Sequence, residues 1–138
     1  MLLAFPIRVI SSTIEEKLEF ISNDQVSQAY YSWQLTERAR KLIGTRQGQC
    51  TVAVRNFLGL GSDQIKGKAK NNEANSQVPE VGSIIITSES SNGHVGVVLF
   101  FTDTQVTIYE SNVPLGSEIA GIRTLNINDP RIRGYLLY

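Results

Sequence analysis

Cysteine, histidine, methionine and tryptophan occur once each in the 138 residues, and the 13 Lys and Arg are balanced by 13 Asp and Glu. A single cysteine excludes an internal disulfide, and with it the disulfide-stapled secreted scaffold. One Cys and one His supply only two of the four ligands that a zinc site ordinarily needs, so no metal is expected. Without a positive excess the chain lacks the phosphate-neutralising charge of a nonspecific nucleic-acid binder. No run approaches the ~18 apolar residues of a membrane span, so neither nucleic acid nor membrane is expected as a partner. Met1–Phe5 is apolar, but no basic region precedes it and Pro6 and Arg8 break it, so it does not read as a targeting signal. The expectation is a chain that is cytoplasmic at synthesis and that reaches any outside substrate by release. Its length allows one domain, or one domain with a short arm. Any chemistry must run through very few groups.

What is present begins with helix. Ser12 to Glu15 and Thr13 to Glu16 both fit the capping-box spacing, followed by the apolar stripe Ile14, Leu18 and Ile21. Asn23 or Asp24 can cap a second helix, whose inner face is expected to carry Val26, Tyr30, Trp33, Ala39 and Leu42. Gly44 ends it, after Arg40 and Lys41 in the last turn, where cations suit the helix dipole. Residues 47–58 mix helical spacing (Cys50, Val54, Phe57, Leu58) with β-branched residues, and are read as a third helix closed by Gly59. Residues 60–80, rich in Gly, Lys, Asn, Ser and Gln, read as a surface excursion containing one short helix.

Beyond it the chain turns to short β-branched and aromatic runs divided by turn residues: 83–87, 94–101, 105–111, 122–127 and 133–138. Helices first and an antiparallel meander after make an α+β fold, with N-terminal helices on a sheet of about five strands. The expected division is a helical segment, 1–43, packed on the same domain as the body, 44–138.

Free cysteine is ordinarily a small buried hydrophobe. Two features set Cys50 apart: Gly48 just before it permits close backbone approach, and a helix N-terminus at Cys50 favours the thiolate. The lone His94 follows the Asn92-Gly93 turn at the mouth of an apolar strand. Strand alternation puts it on one face with Gly96 and Val98, and the small Gly96 is expected to leave space beside the ring. Glu110 and Asn112 continue the apolar face of Val106 and Ile108, and buried polar groups there need partners. A hairpin centred on Asp103 places His94 nine residues before the turn and Asn112 nine after it. That count sets an imidazole beside a carboxylate and an amide, as a base and its orienter require. Asp63, Lys66, Lys68 and Lys70 read as solvated, and Asn126, Asn128 and Asp129 lack the closing Glu of a calcium loop.

Gly48-Gln49-Cys50-Thr51 before an apolar helical run, Pro79-Glu80-Val81-Gly82-Ser83, Gly93-His94-Val95-Gly96 and Glu110-Ser111-Asn112 together resemble a CHAP domain over residues 44–138. The family comprises cysteine, histidine-dependent amidohydrolases/peptidases of papain-like fold, related to NlpC/P60 enzymes. The resemblance implies Cys50 as nucleophile, His94 as general base, Glu110 as the group orienting the imidazole and Asn112 as the accompanying polar residue. Gln49 and Gln47 are the candidates for a side-chain donor to the oxyanion. It further implies no cofactor, a peptidoglycan or peptide substrate cut at an amide bond, and association with a phage tail or targeting partner. Val52 stands where the family often has an aromatic, and Ser83 where it usually has Asp. The alternatives are a papain-like amidohydrolase acting on a non-wall amide, and a noncatalytic phage module that keeps the fold.

Overall fold

The computed structural model describes residues 23–138, so the expected capping boxes and the stripe Ile14, Leu18 and Ile21 lie outside the described residues. Helix α1 spans Asn23–Leu42 and helix α2 spans Cys50–Leu58, with a single 3₁₀ turn at Ala69–Asn71. The strands are β1 (Ile84–Thr87), β2 (His94–Phe101), β3 (Gln105–Ser111), β4 (Ala120–Asn126) and β5 (Ile132–Leu136). They form one five-stranded sheet in the order β4-β3-β2-β1-β5, with every pair antiparallel. The first four strands are thus a meander, and β5 returns to the free edge of β1.

Alternation along the central strands builds two apolar layers. Ile84, Ile86, Val95, Val97, Leu99 and Tyr109 face the helices, meeting Leu35 and Ala39 of α1 and Ala53, Val54 and Phe57 of α2. Ile85, Val98, Val106, Ile108, Leu125 and Tyr135 form the opposite layer. Three consecutive isoleucines are therefore buried on both faces of β1, each worth about 1.5–3 kcal/mol relative to exposure. Among the described residues no helix is long and apolar enough to cross a membrane.

α1 packs Ala39 and Leu42 on the core as its sequence suggests, but not Val26, Tyr30 and Trp33. Ser32, Leu35, Thr36 and Ala39 are buried, whereas Val26, Tyr30 and Trp33 are exposed at 45%, 60% and 51%. Between Val98 and Phe100 the β2–β3 register shifts, leaving Leu99 as an extra residue on β2. Ser32 Oγ donates to the Leu99 carbonyl at 2.7 Å. The helix is seated by Leu35 and Ala39 together with the polar Ser32 and Thr36, while Val26, Tyr30 and Trp33 stay exposed.

The excursion between α2 and β1 is exposed at Asp63, Lys66, Lys68 and Lys70 yet firmly attached. Ile65 and Ala69 are buried as anchors. Asn72 is also buried; its Oδ1 accepts from Lys66 N at 2.7 Å, and its Nδ2 donates to the carbonyls of Lys66, Lys68 and Ala69. From α2, Thr51 Oγ1 donates to Gly67 O and Arg55 donates twice to Ile65 O. A segment of turn-like composition thereby becomes a fixed wall beside the first turn of α2.

Candidate active site

Cys50 is the first residue of α2, preceded by the extended N-cap residue Gln49 and by Gly48 at φ 89°. This positive φ is where a side chain would strain the backbone, and it turns the chain into the helix. The entry is pinned from the end of β3 and the loop that follows it. Buried Ser111, closing β3, donates from Oγ to Gly48 O at 2.7 Å, and the N–H groups of Gln47 and Gly48 both donate to Glu118 O. Cys50 is half-buried. Burial pushes its thiol up, but the His94 hydrogen bond, the Val95 N–H, the imidazolium charge and the Thr51 N–H outweigh that and leave it lowered.

His94 opens β2, and only 6% of it is exposed. Its Nε2 lies 2.8 Å from Glu110 Oε1, and the ring also interacts with Cys50. Burial alone would favour the neutral ring. The hydrogen bond to Cys50, and the hydrogen bond and charge of Glu110, more than reverse this and raise the group to about 9. At neutral pH His94 is therefore an imidazolium that donates from Nε2 to Glu110. An imidazolium beside a thiol of lowered pKa is the electrostatic arrangement of an activated sulfur nucleophile.

The register explains how these groups meet. Val97 pairs with Tyr109 and Val98 with Ile108, each pair equidistant from Asp103, so continuing outward sets His94 beside the Glu110–Asn112 end. The turn-side pairs, Phe100 with Thr107 and Phe101 with Val106, are displaced by one residue. A turn centred one half-step later and a one-residue bulge offset each other, and the simple count lands on the site. Gly96 does not leave an opening beside the ring, contrary to expectation. A Cβ there would lie 2.9 Å from the Tyr109 carbonyl and 3.1 Å from Ile108 Cδ1, so the glycine permits tight strand packing.

Asn112 reaches the same end of the sheet but touches neither Cys50 nor His94 through any hydrogen bond. Its backbone is left-handed at φ 70°, and its Oδ1 accepts from Gly116 N and Glu118 N, both at 2.9 Å. It holds together the loop that forms one rim of the cleft. Gln49 lines the cleft with no side-chain capping bond, while Gln47 donates from Nε2 to Thr45 Oγ1 at 2.9 Å. The residues around Asn126 form a turn: Asn126 Oδ1 accepts from Asn128 N, and Asp129 pairs with Arg131. Among the described residues no group of three or more His, Cys, Asp or Glu is arranged to hold a metal ion.

Two charged residues outside the sequence reading complete the cluster. Arg123 on β4 donates from Nη2 to Glu110 Oε1 at 2.9 Å, and its Nε lies 2.8 Å from Oε2 as an ion contact without hydrogen-bond alignment. The same guanidinium donates to both oxygens of Glu89, in the β1–β2 turn, at 2.7 and 2.9 Å. The Arg123 hydrogen bond, opposed by partial burial, holds the Glu89 carboxyl below its ordinary range. Strand alternation carries a signal for Arg123: counting β3 and β4 about the Leu115-Gly116 turn sets Glu110 opposite Gly121, one diagonal from it.

Cys50 and His94 both line a cleft of about 240 Å³, bounded by the first turn of α2, residues 67–69, and residues 112, 113 and 115. Val113 and Leu115 stand 41% and 75% exposed on its rim. No curated protein matches the chain. The crystal structure of Ly7917 is similar in fold, with a TM-score of 0.57 and 16% identity over 76% of this chain. This chain spans 61% of that one. The family model for the CHAP domain matches residues 41–112, just over half of the chain, covering Cys50, His94, Glu110 and Asn112; the chain belongs to the CHAP domain family.

Proposed function

We propose that the protein is a peptidoglycan hydrolase that cuts an amide bond with Cys50 as nucleophile, as an N-acetylmuramoyl-L-alanine amidase or an endopeptidase. The observation that carries this reading is the buried His94, hydrogen-bonded to Glu110 through Nε2 and interacting with Cys50, on the wall of an open cleft. Family membership directs the choice of substrate to wall peptide. The exposed apolar rim at Val113 and Leu115 suits a peptide lying across the cleft.

The Cys50 thiolate attacks the amide carbonyl carbon, forming a C–S bond and a tetrahedral oxyanion. The Cys50 backbone N–H, at the start of α2, meets that oxyanion, and Gln49 is the nearer side-chain candidate to join it. The C–N bond then breaks as the His94 imidazolium gives its proton to the departing amine. Water attacks the thioester, losing a proton to neutral His94. Collapse releases the carboxyl product and restores the thiolate–imidazolium pair. Glu110 keeps its hydrogen bond to Nε2 and so holds the ring throughout.

Incubation with purified peptidoglycan of several cross-link types, followed by mass spectrometry of soluble fragments, tests the proposal. Fragments with new amine and carboxyl ends, absent with Cys50→Ala, are expected, and their masses identify the bond. Absence of Cys50-dependent fragments from every wall type would overturn it.

A further inference from the structure

The Glu110 carboxylate is gripped from the side opposite His94, and the grip is itself held. Oε1 accepts from both His94 Nε2 and Arg123 Nη2, at 2.8 and 2.9 Å, while Oε2 faces Arg123 Nε at 2.8 Å. Arg123 is fixed in turn by two hydrogen bonds to Glu89, whose Oε1 also accepts from Thr87 Oγ1 at 3.0 Å. Glu110 is 5% exposed at its side chain and Arg123 24%, so the contact is largely shielded from water. One charge-assisted hydrogen bond and one close ion contact from the same guanidinium hold both oxygens of the carboxylate.

The geometry points to Arg123 as a positioning residue of the active site: held also by Glu89, it fixes the place and the charge of the Glu110 carboxylate, and through Glu110 the ring of His94. It touches no reacting atom. This inference rests on the Cys50–His94 reading and extends it by naming what orients the orienter.

The sign of its influence follows from the charges around the pair. Cys50 faces His94 from α2, Glu110 from β3, Arg123 from β4 and Glu89 from the β1–β2 turn. Arg131 reaches Glu89 at 3.4 Å while paired to Asp129, and Lys68 stands on the cleft wall. Removing the Arg123 cation makes the site more negative, so the Cys50 thiolate forms at higher pH. Glu89→Gln removes an anion while its amide oxygen can still accept from Arg123, which Glu110 also holds, so Arg123 stays in place, the site becomes more positive and the thiolate forms at lower pH. A merely structural role would not give opposite displacements.

The test is the rate of Cys50 alkylation by iodoacetamide against pH in the full chain, for wild type, Arg123→Gln, Arg123→Lys and Glu89→Gln. The acidic limb is expected to rise by about one pH unit in Arg123→Gln and to fall by a smaller amount in Glu89→Gln. Arg123→Lys, which keeps the charge, is expected to return the limb close to the wild-type position. A limb unmoved in Arg123→Gln, a Lys variant displaced as far as the Gln variant, or displacements of the same sign in Arg123→Gln and Glu89→Gln would overturn the inference. The wild-type curve separates this failure from that of the underlying reading: an ordinary, unactivated thiol in wild type sinks both.

Discussion

At the scale of single residues, the site turns on one imidazole held between two anions. His94 is raised to about 9 because Cys50 and Glu110 outweigh the burial that would neutralise it. The thiolate–imidazolium pair therefore exists between the lowered pKa of Cys50 and about pH 9, and activity is expected to fall above that pH as the imidazolium is lost. Glu110→Gln removes one of the two supports, so the alkaline limb should move to lower pH and kcat should drop by about 100-fold; a pH–rate profile on wall substrate reads both. The sign for stability is the same. A histidine raised above its unfolded value of 6.5 stabilises the fold below that value and ceases to do so as pH climbs through about 9. His94 and Glu110 were legible in the sequence because alternation and a hairpin count are local arithmetic. Arg123 shows itself only once β3 and β4 are counted about their turn, and Glu89 not at all, because a lone charge in a turn looks solvated until the strands around it are paired.

Among the elements, the strands follow their sequence closely, since runs such as Ile84-Ile85-Ile86 and Val95–Leu99 are β-branched or aliphatic and bounded by turns. α1 does not follow so simply. Its buried face runs through Ser32, Leu35, Thr36 and Ala39, and Ser32 bonds at a bulge in β2 that no periodicity reveals. Ser32→Ala would strip the Leu99 carbonyl of its 2.7 Å partner, so unfolding in urea should register a loss of about 1–3 kcal/mol with an unchanged m-value. The 60–80 excursion shows the same limit from the other direction. Its polar composition conceals the fact that one buried amide organises it. Asn72→Ala should lower stability by about 1–3 kcal/mol and open residues 66–69 to proteolysis before global unfolding. As that segment walls the cleft, the variant should lose affinity for substrate more than it loses chemistry, seen as a rise in KM larger than the fall in kcat.

For the whole molecule, scarcity and balance of charge take on a different meaning once the site is in view. The sheet brings the ends of β2 and β3 together at the N-terminus of α2, so the one Cys and the one His meet beside a carboxylate that a guanidinium holds. Zero formal net charge gives no general attraction to an anionic wall. Wall hydrolysis by this chain should therefore vary little between low and physiological ionic strength, and a steep loss of rate with added salt would reveal a local cationic docking surface. The central claim is that His94 activates Cys50, and iodoacetamide alkylation of Cys50 below pH 7 tests it most directly. Rapid alkylation of the wild-type protein that is lost in His94→Ala is the expected result; equally sluggish alkylation of both would contradict the account and leave the fold as a noncatalytic module.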